Sequence, residues 1–141
     1  MLNFTYPAKI EQDEAGFFLV TFRDISFAVT EGKTFEEALE QGADCLSEAL
    51  ASCVTDCEEI PRPSEPKPGE HMITPTALIA AKAALYIVTR EEGLNKSTLS
   101  SRIGVSEAVG RRLLDPRHQT KIVKIDQAMQ AMGKRMVIGI A

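Results

Sequence analysis

Four of the chain's seven prolines fall between Ile60 and Gly69, at Pro61, Pro63, Pro66 and Pro68. No helix or central strand continues through such a stretch, because each proline lacks an amide hydrogen and has a fixed φ. The segment reads as a stiff, extended connector. It divides the 141 residues into two small modules, expected at 1–70 and 71–141. Charge divides at the same place. Residues 1–70 carry 5 Lys and Arg against 15 Asp and Glu, a net of −10, whereas residues 71–141 carry 11 against 5, a net of +6. Such asymmetry suggests two surfaces with different partners, a basic protein for the acidic half and a phosphate backbone for the basic one; the alternative is that charge simply solubilises both halves.

The first module reads as a three-stranded meander covered by a helix. Leu2, Phe4, Tyr6, Ala8 and Ile10 alternate with other residues at the period of a half-buried strand. A turn at Asp13–Gly16 leads to a second strand, Phe17–Phe22, and Arg23–Ser26 turns the chain into a short third, Phe27–Thr30. Thr34 and Glu37 have the spacing of a capping box. The helix they open places Phe35, Ala38, Leu39, Gly42, Leu46, Ala49, Leu50 and Cys53 on one face, with Glu36, Glu37, Glu40, Asp44 and Glu48 outside it. Cys45, Cys53 and Cys57 are expected as buried thiols of this helix, because an odd number makes a poor disulfide framework. His71–Ile73 is a further short strand able to pair back onto the sheet.

The second module reads as helices. Thr74-Pro75 starts one that Gly93 stops. Ser97–Ile103 is a second, closed by Gly104, and Ser106 caps a third that runs to Leu114, before Asp115-Pro116. A fourth spans Ile122–Met132, and the apolar run Arg135–Ile140 is expected as a terminal strand. The fold class is therefore α+β: a β-meander with a packed helix, followed by an all-α half with a terminal strand.

Within the second module, Leu99 and Ile103 give a short helix an inward face, Gly104 permits a tight turn, and Val105 fills the angle before Ser106 starts the next helix. These are the parts of a helix-turn-helix, whose second helix presents its N-terminal residues to base edges. On that geometry Glu107, Ala108 and Arg111 face the bases. Ser97, Thr98, Arg112, Arg117 and His118 face phosphates, and Ser106 caps the reading helix.

The run Arg111-Arg112-Leu113-Leu114-Asp115-Pro116-Arg117-His118, then Thr120-Lys121-Ile122 and Ala131-Met132-Gly133-Lys134-Arg135, resembles the Cro-like helix-turn-helix at the end of many HicB antitoxins. Tyr6-Pro7-Ala8, Gly16–Phe22, Asp24-Ile25 and Thr34–Ala38 are similar to the HicB toxin-binding domain, and the resemblance spans nearly the whole chain. It implies a truncated RNase H-like sheet with a packed helix. It also implies an antitoxin that binds and neutralises a small basic HicA-type mRNA interferase and represses its own operon at double-stranded operator DNA. The acidic residues Glu36, Glu37, Glu40, Asp44 and Glu48, with the exposed second-strand region, are the expected toxin-binding surface. One position departs from the family pattern: Gly110 stands where a β-branched apolar residue is usual, which forfeits packing and favours a small helix rotation onto Val109.

Catalysis is not expected. Glu11 and Asp24 do not make the converging carboxylates that two-metal hydrolysis needs, and no nucleophilic triad or Gly-rich phosphate loop is present. No cofactor or metal is expected. The rival readings are a solitary ligand-sensing transcription factor and a metal-dependent nuclease. Without a signal-peptide pattern at Met1–Ile10 or an apolar run of roughly 18 residues, the expected location is cytoplasmic and away from membranes. A reading domain this small covers few bases, so a homodimer on a palindrome is expected.

Overall fold

The computed structural model describes residues 1–141. Its elements are β1 (Tyr6–Gln12), β2 (Phe18–Thr21), β3 (Val29–Gly32), α1 (Phe35–Thr55), β4 (His71–Ile73), α2 (Ala77–Glu91), α3 (Lys96–Ile103), α4 (Glu107–Leu114) and α5 (Ile122–Ala131). The α+β class is as expected. The residues form two compact units, Met1–Ala80 and Ala81–Ala141. β4 lies in the sheet of the first unit.

In the first unit the four strands lie in the order β3-β2-β1-β4, every pair antiparallel. β1 divides its length between two neighbours: Lys9–Gln12 pair with β2, and Tyr6–Ala8 pair with β4. The period-two pattern decides which face is covered. Tyr6, Ala8, Val20 and Ile73 are buried on one side, and α1 packs there against β2, β3 and β4 with Ala38, Gly42, Leu46, Ala49, Leu50 and Cys53 inward. These helix residues lie on the face the sequence marked as apolar. On the other side Leu19, Val29 and Met72 are exposed at 40%, 51% and 44%. That leaves an apolar strip on the sheet beside Glu11 and Glu31.

The proline segment is fastened to this unit by polar contacts. The buried Tyr6 hydroxyl donates to the Pro61 carbonyl at 2.7 Å, and burial, with the Asp24 carboxylate adding to it, pushes the phenol up to about 12. Asp24 accepts from the Ser64 amide at 2.9 Å and from the Ser64 hydroxyl. Arg23 forks onto Glu70 at 2.9 and 3.0 Å, which holds the Glu70 carboxyl below its usual range. The turn at Arg23–Asp24 thus orders a segment that composition alone describes as a spacer.

The third strand is Val29–Gly32 rather than the expected Phe27–Thr30, and two further expectations need correction. Cys57 is exposed, because α1 ends at Thr55 and the chain turns before the four-residue spacing can bring Cys57 onto the apolar face. The Glu58 amide bonds back to the Cys53 carbonyl and Cys57 takes a φ of 55°, the left-handed position usually filled by glycine. Cys45 is half-buried and Cys53 buried, and burial raises both thiols. The second correction concerns Arg135–Ile140, which forms no strand. Strand geometry needs a neighbouring edge to satisfy its amides, and the run finds none within the chain.

In the second unit α2 is buried at nearly every position from Ala81 to Thr89, as befits a helix apolar all round. Leu99, Leu113, Leu114, Ile125, Ala128, Met129 and Met132 supply the other buried apolar side chains. No helix of the chain is long and apolar enough to cross a membrane.

Candidate functional site

The basic unit presents its polar groups on α3, α4 and the loop after them. Asn95 opens α3 with a capping box: its side chain accepts from the Thr98 amide at 2.8 Å, and the Thr98 hydroxyl accepts from the Asn95 amide at 2.7 Å. Gly104 ends α3 at a φ of 73°, which an L side chain enters only at a cost. Ser106 then caps α4, accepting from the Val109 amide at 3.3 Å.

The two helices lie in close contact at Gly110. A methyl group there would stand 1.8 Å from Ser100 Oγ and 3.2 Å from the Lys96 carbonyl oxygen. Gly110 and Ser100 are both buried, and the Ser100 hydroxyl donates to the Lys96 carbonyl at 2.7 Å. The packing deficit expected at Gly110 is therefore not found. The absent side chain is what lets α4 lie against α3, and no rotation onto Val109 is required.

Arg111 and Arg112 project from α4 into solvent, and Arg117 and His118 are exposed on the following loop. Ala108 is half-buried. The Ser97 hydroxyl donates to Glu107 at 2.9 Å, which joins a residue expected at phosphates to one expected at bases. The Thr98 hydroxyl serves the α3 cap, so it is held inside its own helix end. The loop is ordered locally: Asp115 Oδ1 accepts from the Arg117 amide at 2.9 Å, and His118 Nδ1 lies 2.7 Å from Thr120 Oγ1.

One buried charge escaped the sequence reading. Lys82 is 1% exposed, and its ammonium donates to the Arg112 carbonyl and to Thr120 Oγ1, each at 2.6 Å. Burial lowers this lysine to about 8, against the opposing pull of Asp115. The signal was available: Lys82 is the one charged residue between Ala77 and Thr89. An ammonium inside an apolar helix must find acceptors.

On the acidic unit Glu36, Glu40, Asp44 and Glu48 recur every fourth residue along α1 and are all exposed, a single acidic stripe. Glu37 stands apart. It is half-buried, its amide donates to Thr34 Oγ1 at 3.0 Å, and its carboxylate accepts from the Lys33 amide at 2.8 Å. This residue closes the helix start. No group of three or more His, Cys, Asp and Glu side chains is arranged to hold a metal ion.

Gly110→Ala is expected to destabilise the second unit by roughly 1–3 kcal/mol through overpacking. Ser100→Ala should restore part of that loss, because it removes the nearest clashing atom. Urea unfolding of both single variants and the double variant measures the coupling; strictly additive effects would refute the close crossing.

Residues 5–84 match a family described as HicB_like antitoxin of bacterial toxin-antitoxin system. Over 138 residues the chain is 33% identical to Antitoxin HicB 1 of Photorhabdus laumondii, covering 98% of this chain and 88% of that one. It is 37% identical over 134 residues to Antitoxin HicB 2 of the same organism, covering 95% and 94%. It is 32% identical over 131 residues to Antitoxin HicB of Escherichia coli strain K12, covering 93% and 95%. The chain belongs to the HicB-like antitoxin family of bacterial toxin–antitoxin systems.

Proposed function

We propose that this chain neutralises a small basic HicA-type mRNA interferase with its first unit and represses its own operon with its second. The observation that carries the reading is the partition of charge between two separately compact units, −10 over residues 1–80 and +6 over residues 81–141, since residues 71–80 carry no Lys, Arg, Asp or Glu. Neither sign serves the other's partner. A phosphate backbone repels the acidic α1 stripe, and a basic toxin repels Arg111, Arg112 and Arg117.

On the toxin side, Glu36, Glu40, Asp44 and Glu48 attract a basic partner, while Leu19, Val29 and Met72 offer apolar area for a stable contact. Glu37 contributes through the helix start rather than by reaching outward. Because β4 completes the sheet, the minimal neutralising fragment is residues 1–80 rather than 1–70. Co-expression of that fragment with the toxin should restore growth, and reversing Glu40, Asp44 and Glu48 to Lys should slow association at low salt. Growth arrest in the presence of a folded 1–80 fragment would refute this assignment.

On the nucleic-acid side, α3 and α4 act as a helix-turn-helix, with Arg111 directed at base edges and Arg112, Arg117 and His118 at phosphates. A guanidinium that forks onto guanine discriminates by roughly 1–3 kcal/mol. Arg111→Ala should therefore relax preference at particular positions of the operator. Arg117→Ala should weaken all duplexes alike and reduce the salt slope by about one. Gel shifts on operator variants distinguish the roles; loss of base preference with Arg117→Ala alone would reverse them.

Reading a palindrome requires two copies, and Val137, Ile138 and Ile140 are 66%, 78% and 93% exposed at the end of the chain. We take this apolar tail as the contact with the second copy. Sedimentation of a chain ending at Gly133 tests it: the expected product is a monomer, and an undiminished dimer excludes the tail.

A further inference from the structure

The loop between α4 and α5 carries Arg117 and His118 but contains no regular secondary structure. Its placement relative to α4 therefore depends on a few turn hydrogen bonds and on side-chain contacts. Those contacts converge on one carbonyl. The Arg112 oxygen, in the last turn of α4, accepts from the Asp115 amide at 3.3 Å, from Thr120 Oγ1 at 3.3 Å and from Lys82 Nζ at 2.6 Å. Lys82 Nζ also donates to Thr120 Oγ1 at 2.6 Å, and Thr120 Oγ1 lies 2.7 Å from His118 Nδ1. The ammonium on α2 thus bridges the end of α4 to the far side of the loop.

Building on the nucleic-acid reading above, we propose that Lys82 is a positioning residue for duplex binding. Its buried ammonium fixes the loop of Arg117 and His118 to the end of α4, so that these groups and Arg111 meet one duplex in a single register. Stability alone does not account for a lysine here. Taking an ammonium out of water costs several kcal/mol, and a methionine of similar length would fill the same space without that cost. What a methionine cannot do is hold two oxygens from different segments at fixed positions. Phosphate contacts set orientation and base contacts set sequence preference, so a loop free to move against α4 uncouples the two.

The test uses the full-length chain and two probes of equal length: a duplex covering the region upstream of its own gene, and an unrelated duplex. Lys82→Met should unfold at or above the wild-type temperature. It should nevertheless bind the upstream duplex about tenfold more weakly, the equivalent of one charge-assisted hydrogen bond. Its discrimination between the probes should shrink. Thr120→Val should weaken binding in the same direction, and Thr120→Ser, which keeps the hydroxyl, should bind as wild type does. Wild-type affinity in a folded Lys82→Met chain overturns the proposal, as does Thr120→Ser behaving like Thr120→Val. An affinity loss that merely tracks a lowered unfolding temperature also overturns it. If Lys82→Met does not fold, the Thr120 pair decides by the same criteria. A wild-type chain that binds neither duplex refutes the nucleic-acid reading itself, an outcome distinct from the failure of Lys82 alone.

Discussion

Tyr6 joins parts of the first unit that are far apart in the chain. Its backbone lies opposite Ile73 in the β1–β4 pairing, and its hydroxyl reaches the Pro61 carbonyl on the connector. The ring is fully buried on the face that α1 covers. A short strand such as His71–Ile73 has few hydrogen bonds of its own and depends on such anchoring. With β4 in place, each half of β1 has a partner, β4 at Tyr6–Ala8 and β2 at Lys9–Gln12. The covered face and the open face then acquire different chemistry: the first a conventional core under α1, the second an apolar strip beside Glu11 and Glu31.

The second unit is organised by a glycine and a lysine. Gly110 sets the distance between α3 and α4, since any side chain there meets Ser100. Lys82 sets the loop beyond α4 through the Arg112 carbonyl and Thr120. Neither residue touches solvent appreciably, yet between them they place every exposed arginine from Arg111 to Arg117. Surface cations are useful for recognition only when the backbone beneath them is held, because a mobile guanidinium loses its directional hydrogen bonds to entropy. The helix caps contribute to the same rigidity: Asn95, Thr98 and Ser106 satisfy amides that would otherwise be left open at both helix starts.

Charge is the property that links the architecture to the family role. Two surfaces of opposite sign on one short chain would attract each other and each other's partners if they were interspersed. Division into separately compact units, each with its own core, lets one chain carry both. The acidic stripe on α1 follows from helical periodicity, and the basic surface from two adjacent arginines near the end of α4 and a third in the loop after it.

The sequence by itself determined what depends on near neighbours. The Thr34–Glu37 box, the apolar face of α1, the Gly104 turn and the exposure of Arg111, Arg112, Arg117 and His118 are each set within a few residues, where backbone geometry leaves little choice. Family membership was legible for the same reason, since it rests on runs of contiguous residues. Only the tertiary structure decided the rest. That Gly110 is a point of contact rather than a lost one depends on Ser100, across a turn and on another helix. That Lys82 holds Arg112 and Thr120 depends on residues about thirty and forty positions away. Cys57 leaves the core and Arg135–Ile140 leaves the strand state because a helix end and a missing edge override local preference. Periodicity shows which side of an element is apolar; which atoms meet across elements is settled only when the chain closes on itself.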